Sequence, residues 1–506
     1  MPEDTETTTI RPFLLEAAVF FCGALVMSYE IVGARIVAPY LGSSTYIWTS
    51  LIGVILGALS LGYWLGGRMA DRRPQLRVLS AAIFIAGGLV SLTILVKSVF
   101  LGSIARSTLP LELLALFASL TLFAPASVAL GFVIPYATKL RLGSLSDTGR
   151  TVGRLYALST LGSILGTFAA GFFFIPFVGS TRTLYLIAGA LFGLALLISP
   201  IIAERRNITA LILFAFAVGG SELEAAYLRS VGVVEFDSEY NRIRILETKD
   251  SRTGKAMTAM VIDPFAIQSA RFIDSDELVL EYTKFFRLVR HYRPEHRSAL
   301  MIGGAGYSFP QELLREHPDA TIDVVEIDPA MTAAAKQHFG LRPDPRLRIF
   351  HEDGRRFINR ADAKSYDAVF VDAFGTLFSV PFHLTTVEAV GEIERLLADD
   401  GVVIVNIGSA LAGPADGFLA STLATYRSVF PFVEVFKVAG DLEAGKVQNF
   451  IIVARKAEPE LPADPHPQVK PLLANKLNTE KIRAGQILTD ELAPAELFAS
   501  RAARYR

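Results

Sequence analysis

Two patterns of apolar and polar positions divide the chain. From Phe13 to about Ser221 apolar residues come in long runs, and from Val231 onward short apolar stretches alternate with polar ones. A helix needs about 20 apolar residues to cross the hydrocarbon core of a bilayer. Five runs reach that length almost free of charge: 46–67, 78–96, 113–138, 155–178 and 183–203. A sixth, 13–37, carries Glu16, Glu30 and Arg35. A seventh, 207–221, is short and reads as a tilted span, a re-entrant piece or an interfacial helix. Glycines at 53, 57, 62 and 66, and at 162 and 166, have the spacing that lets helix backbones approach closely.

The loops between the runs differ in charge. Arg68, Arg72, Arg73 and Arg77 follow the second run, Lys139, Arg141, Arg150 and Arg154 the fourth, and Arg205 and Arg206 the sixth. Alternate loops offer only Lys97, Arg106 and Arg182. Basic loops stay in the cytoplasm, which places the N-terminus inside. "GGRMADRR", 66–73, resembles the loop between the second and third helices of major facilitator transporters, over eight residues only. Seven full crossings would put the C-terminal half outside. With the short last run not crossing, six crossings keep it in the cytoplasm, where nucleoside cofactors are.

The second half predicts a soluble α/β protein. Residues 231–261 read as short strands, followed by a helix over "SDELVLEYTKFFRLVRHY" with Asp276 and Glu277 at its start. Strands and helices then alternate: "SALMIGG", "IDVVEID", "LRIF", "YDAVFVDAFG" and "GVVIVNI", with "FVEVFKV" and "NFIIVAR" at the far edge. Apolar strands alternating with helices imply a parallel sheet covered on both faces. The expected fold is an α-helical transmembrane bundle of six or seven segments, a small β-strand domain and an α/β Rossmann-like, class I methyltransferase-type domain. The expected boundaries are 1–222, 223–285 and 286–506.

Composition adds exclusions. The chain has 506 residues, 51% hydrophobic, with a formal net charge of -1. That balance gives no case for nucleic-acid binding. One cysteine, Cys22, allows no internal disulfide. The start, "MPEDTETTTI", is acidic and does not read as a cleavable signal.

Candidate chemistry gathers at predicted strand ends, where ligands bind in such sheets. These are the loop Gly303-Gly304-Ala305-Gly306, Glu326, Asp353 with Gly354, and Asp372. Glu326 follows Gly303 at nearly the spacing at which an acid takes ribose hydroxyls. The loop lacks the Gly-x-Gly-x-x-Gly pattern, which argues for a nucleoside lying flat rather than a dinucleotide.

With these residues in hand, the half from about Val231 resembles the spermidine synthases, the polyamine aminopropyltransferases. The whole chain is similar to their membrane-fused relatives. The likeness rests on "IGGAGYS", "VVEIDP", "HEDGRRF", "VDAF" and "ILTDELAP". It implies transfer of an aminopropyl group from decarboxylated S-adenosylmethionine to a di- or polyamine, with no metal. By the same resemblance Glu326 holds the ribose hydroxyls, and Asp353 and Gly354 face the adenine. Asn241 and Gln268 stand at cofactor-binding glutamine positions, and Asp372 is the base that takes the amine's proton. Polyamine and bilayer are the implied partners, with a homodimer left open. The implied place is a bacterial-type inner membrane, catalytic domain towards the cytoplasm.

Three acceptor positions depart from the family. Gly375 stands for a second Asp, Gly306 for an Asp in the glycine loop, and Leu280-Glu281 for a Tyr followed by His or Gln. Glu281 is a candidate to replace a lost acid, and Tyr282 to replace the ring from two positions along. Phe374, Ser379, Pro381 and His383 are candidates to line a different acceptor pocket, His383 reading better as a cap or packing residue. Two other readings stay open: a methyltransferase acting on a membrane-associated substrate, and a polyamine transporter or sensor with a nucleoside-binding domain.

Overall fold

The computed structural model describes residues 12–107, 109–142, 148–199, 205–262, 267–373, 380–440, 443–458 and 461–502. The chain forms two compact units, Met1–Ser230 and Val231–Arg506.

The first unit is helical: α1 Pro12–Leu41, α2 Thr45–Arg72, α3 Leu76–Ile104, α4 Leu111–Leu122, α5 Ala124–Gly131, α6 Val133–Arg141, α7 Thr148–Ala169 continuing as a π-helix through Val178, α8 Ser180–Ile198 and α9 Arg205–Ser230. Among the described residues six helices are long and apolar enough to cross a membrane, and the 50° bent pair Leu111–Leu122 and Ala124–Arg141 makes a seventh if counted as one span. The irregular element is therefore the fourth run. The last run, expected to be short, continues as helix past its apolar part through Glu222 and Glu224 to Ser230.

Side-chain contacts give the helix directions. Glu16 pairs with Arg154 at 2.9 Å and Ser28 Oγ donates to Gly166 O at 3.0 Å, so α1 and α7 run parallel. Ser80 meets Ala195 O at 2.6 Å and Lys97 Nζ meets Thr181 Oγ1 at 2.7 Å, so α3 and α8 are antiparallel. A Cβ on Gly88 lies 3.3 Å from Ala210, and one on Gly220 lies 3.9 Å from Leu95, so α9 runs parallel to α3. Of the spaced glycines, 62 and 66 pack on backbone of 128–132, and 162 and 166 on that of Phe20 and Ala24. A Cβ on Gly53 or Gly57 meets nothing within 4 Å, so those two do not serve close packing within this chain.

The second unit opens with a four-stranded antiparallel sheet: β1 Val234–Asp237, β2 Arg242–Lys249, β3 Ala256–Val261 and β4 Ile267–Phe272, in the order β1-β2-β3-β4. A helical stretch, α10 Glu281–Lys284, a 3₁₀ turn and α11 Val289–Tyr292, leads to the main sheet. It starts five residues later than Asp276 because Leu278 first bridges to Arg271 of β4. The main sheet comprises β5 Ser298–Ile302, β6 Thr321–Val325, β7 Leu347–Phe350, β8 Tyr366–Val371, β9 Leu397–Ser409, β10 Phe432–Lys437 and β11 Gln448–Arg455. Its order is β10-β11-β9-β8-β5-β6-β7, with β5 to β9 mutually parallel and the β10-β11 pair antiparallel at one edge. Helices α12 Ser308–Glu316, α13 Pro329–His338, α14 Gly354–Arg360, α15 Val387–Leu396 and α16 Gly417–Val429 connect the strands. Leu300 and Val369 face one core and Met301 and Phe370 the other, as expected of strands buried on both faces. The order reverses at β5 and β8, and the crevice there is where such sheets bind ligands.

Candidate functional site: strand tips around a glycine loop

The loop after β5 is held from three sides. Gly303 has φ +97°, donates its N–H to Val325 O at 2.8 Å, and would set a Cβ 2.3 Å from the Asp372 carbonyl oxygen. Both the conformation and the close approach require glycine. The N–H groups of Gly304 and Ala305 donate to Glu326 Oε2 at 2.9 and 3.0 Å, and Asp328 N–H donates to Oε1 at 3.0 Å. Glu326 is 7% exposed; burial pushes its carboxyl up while the three N–H donors oppose that. Ala305 and Tyr307 also have positive φ, 43° and 56°. Such backbone persists only where the surroundings over-determine it. Here the buried Tyr307 hydroxyl is anchored 2.6 Å from Thr332 Oγ1. Gly306 faces β4, where a Cβ would lie 2.3 Å from Ser269 Oγ, so an acid has no room there with Ser269 in place.

Asn241 joins the small sheet to this cluster. Its Nδ2 donates to Asp328 Oδ2 at 3.1 Å, which also accepts from Ser238 Oγ at 2.5 Å. The other Asp328 oxygen caps α13 through Ala330 N. Gln268 is half-buried on β4, next to Ser269.

Asp353 caps α14, its Oδ1 accepting from Arg356 N at 3.1 Å, and its Oδ2 lies 3.0 Å from His383 Nε2. Gly354 is wedged so closely that a Cβ would stand 2.7 Å from Ile302 Cγ2 at the end of β5. Pro381 precedes the 3₁₀ turn Phe382–Leu384, whose His383 carbonyl accepts from Arg355 Nη1 at 2.9 Å. Arg355 also pairs with Asp490 at 2.9 Å, which docks the "ILTDELAP" segment beside α14. Tyr240 stands near Asp328 and Asp353; burial first, then those carboxylates and Glu239, raise its phenol.

Asp372 follows β8. Its Oδ1 accepts from Asn406 Nδ2 at 2.9 Å, and the Tyr282 hydroxyl also donates to its carboxylate. The residue keeps some open surface, yet the carboxyl itself is enclosed and is pushed up to about 6 by burial, against those two donors. The Tyr282 phenol is raised, by burial first and then by Asp372. Asn406 Oδ1 in turn accepts from Asn449 Nδ2 at 2.9 Å. Glu281, the expected replacement acid, is exposed and engaged by Arg252 and by Lys284 at 3.0 Å. It turns to surface cations because the helix begins at that residue, which points Tyr282 rather than Glu281 inward.

The fold thus brings Gly303, Gly304, Ala305, Glu326, Asp353, Gly354 and Asp372 to the end of β5, with Tyr282 and Asn241 reaching in from outside the main sheet. Phe374, Gly375 and Ser379 lie outside the described residues. Ser238, Tyr240, Asp328, Asn406, Asn449 and the His383–Asp353 contact are additions to the expected set. Asn406 had a readable signal, a lone amide inside the apolar run "GVVIVNIGS".

Residues 280–439 match the spermine/spermidine synthase domain. A polyamine aminopropyltransferase of Vibrio vulnificus is 34% identical over 149 residues, 29% of this chain and 48% of its own. The chain thus spans about half the length of that relative. Polyamine aminopropyltransferase 1 of Streptomyces coelicolor is 25% identical over 463 residues, 84% of this chain and 81% of its own, so the likeness extends into the helical unit. A probable spermidine synthase structure from Corynebacterium glutamicum is similar over 53% of this chain and 94% of its own, at 21% identity and a TM-score of 0.40. The class defined is a Rossmann-like sheet whose 280–439 region matches the spermine/spermidine synthase domain. The chain is similar to the polyamine aminopropyltransferases, and its 280–439 region matches their domain.

Proposed function

We propose that this protein is a membrane-bound aminopropyltransferase that lengthens a di- or polyamine with decarboxylated S-adenosylmethionine as donor. The observation that carries the reading is the meeting of Glu326, Asp353 and Asp372 around one glycine loop, with the Asp372 carboxyl perturbed. The donor fits this set: Glu326, held by the loop amides, for its ribose, Asp353 and Gly354 for its adenine, and carboxylates around a sulfonium. Asn241 and Gln268 complete the donor side, and Tyr282 and Pro381 stand on the acceptor side. Phe374 and Ser379 are proposed there from sequence alone.

In the reaction the amine nitrogen bonds to the donor's aminopropyl carbon, the carbon–sulfur bond breaks, and its electron pair goes to sulfur as a neutral thioether. An ammonium has no lone pair, so a proton must leave first. Asp372 draws the cation in and accepts that proton, help worth about 10²–10⁴ in rate. A carboxyl held near 6 is ionised at neutral pH yet basic enough to take it. Acidic groups also offset two cationic reactants in a confined space.

The apolar helices are proposed to hold the enzyme in a bilayer. The test is the purified full chain with labelled decarboxylated donor and a panel of amines. A longer polyamine supports the reading, and transfer of methyl groups alone contradicts it.

A further inference from the structure

We propose that Asn406 is a positioning residue for Asp372, with Asn449 fixing which face of the Asn406 amide it sees. This rests on the base assignment above and deepens it. An amide side chain offers a carbonyl on one side and N–H on the other. Only the N–H side stabilises a carboxylate. Asn449 Nδ2 occupies the Asn406 carbonyl at 2.9 Å, which turns the N–H group to Asp372 Oδ1, also at 2.9 Å. Asn406 is 5% exposed, within the apolar stretch 402–407 of β9, so it has no alternative partner in water. Among the described residues, the titratable group that acts on Asp372 is Tyr282; the Asn406 amide and the Gly303 backbone make up the rest of its named surroundings. The clamp therefore holds the carboxylate ionised and leaves the Tyr282 side to exchange with an incoming amine.

The test is the pH dependence of kcat for the full chain and three variants. Asn406→Leu should move the acidic limb upward by about one pH unit, the effect of losing one hydrogen bond to a charged group. Asn406→Asp should move it further, since a second carboxylate replaces the donor. Asn449→Leu should move it the same way by less. A merely structural role would lower yield or kcat at every pH and leave the limb in place, and that result overturns the proposal. Asp372→Asn separates the two failures. If it leaves turnover intact, the base assignment is wrong; if it abolishes turnover while the Asn406 variants keep the wild-type limb, only this inference fails.

A second inference rests on independent observations in the helical unit, and on the membrane reading. The geometry points to seven crossings, with the chain leaving the helical unit at the end opposite the N-terminus. The bent pair does not turn back. Asp71 pairs with Lys139 at 2.8 Å and Tyr136 hydrogen-bonds the 73–75 turn, so the pair ends where α2 ends. Its bend at Phe123 lies against Gly33 and near Thr93, within the second half of α1 and of α3 rather than at their ends. The N-terminus and the three basic loops then share one end of the bundle. Since α9 runs parallel to α3, the chain leaves it at the other end, where Arg106 follows α3 and Arg182 lies in the first turn of α8. Basic loops mark the cytoplasmic side.

Alkaline phosphatase and green fluorescent protein fused in turn after Arg506 test it, with Thr253→Cys in a Cys22→Ser background for labelling. Expected are an active phosphatase, a dark fluorescent fusion, and maleimide labelling of Thr253→Cys in intact cells. A bright fusion with labelling only after lysis overturns the topology. Neither result depends on enzyme activity.

Discussion

The two ends of the strand-tip hollow are built differently. On the side proposed for the donor, Glu326, Asp328 and Asp353 each accept backbone N–H groups of their own turns or of the adjacent glycine loop, with Ser238, Asn241 and His383 adding side-chain contacts to the two aspartates. At the acceptor end, Asp372 is held by side chains that arrive from residues 282 and 406, far away in the chain. Backbone-held groups keep their geometry when neighbouring side chains drift. A group held by side chains is open to retuning by single substitutions, and it is here that this chain departs from the family pattern.

That contrast can be broken in order of effect. Asp372→Asn should lower kcat about a hundredfold or more while donor Kd moves less than about threefold, measured by stopped assays and titration. Equal losses in both would make Asp372 a binding residue. Glu326→Ala should weaken donor binding by about 10–100-fold, the cost of losing charged hydrogen bonds, with unchanged Kd contradicting its assignment. Tyr282→Phe should cost about 3–10-fold in kcat at pH 7 and recover towards higher pH, because it removes one of the donors that hold the Asp372 carboxyl down. Arg355→Ala, which removes one of the ties that hold Asp490 beside α14, should raise donor KM by only about two- to threefold.

Stability should report the same contrast with opposite sign. Asp372 has a folded-state value of about 6, above its ordinary 3.8. Between those values the folded protein holds a proton that the unfolded chain releases, so this group's contribution to stability falls as pH rises through that window. Above it, the enclosed charge is a standing cost. Asp372→Asn should therefore unfold at no lower temperature than wild type at pH 8, despite its loss of turnover. A clear drop in Tm would show that the carboxylate is structural.

The donor end was legible because it is local. Glycines after an apolar strand, and acids one to three residues past the next strands, are local signals in a βαβ chain, so Gly303, Glu326 and Asp353 could be placed from the sequence. The acceptor end was only half legible. Tyr282 could be named but not aimed, and Glu281 was expected where Arg252 and Lys284 claim it. The clamp of Asn406 by Asn449 depends on the antiparallel pairing of β9 with β11, which no local pattern announces. In the helical unit, hydropathy located every run but misjudged two. It could not see that Phe123 interrupts the fourth, or that the last continues as helix beyond its apolar stretch.

The central claim is that Asp372 accepts the proton of the attacking amine. The most direct measurement is kcat against pH for the full chain with its best amine, beside Asp372→Asn. The account predicts a rise with unit slope that levels off above about pH 6, and a residual rate in the variant that lacks this limb. A limb that persists unchanged in the variant would contradict it.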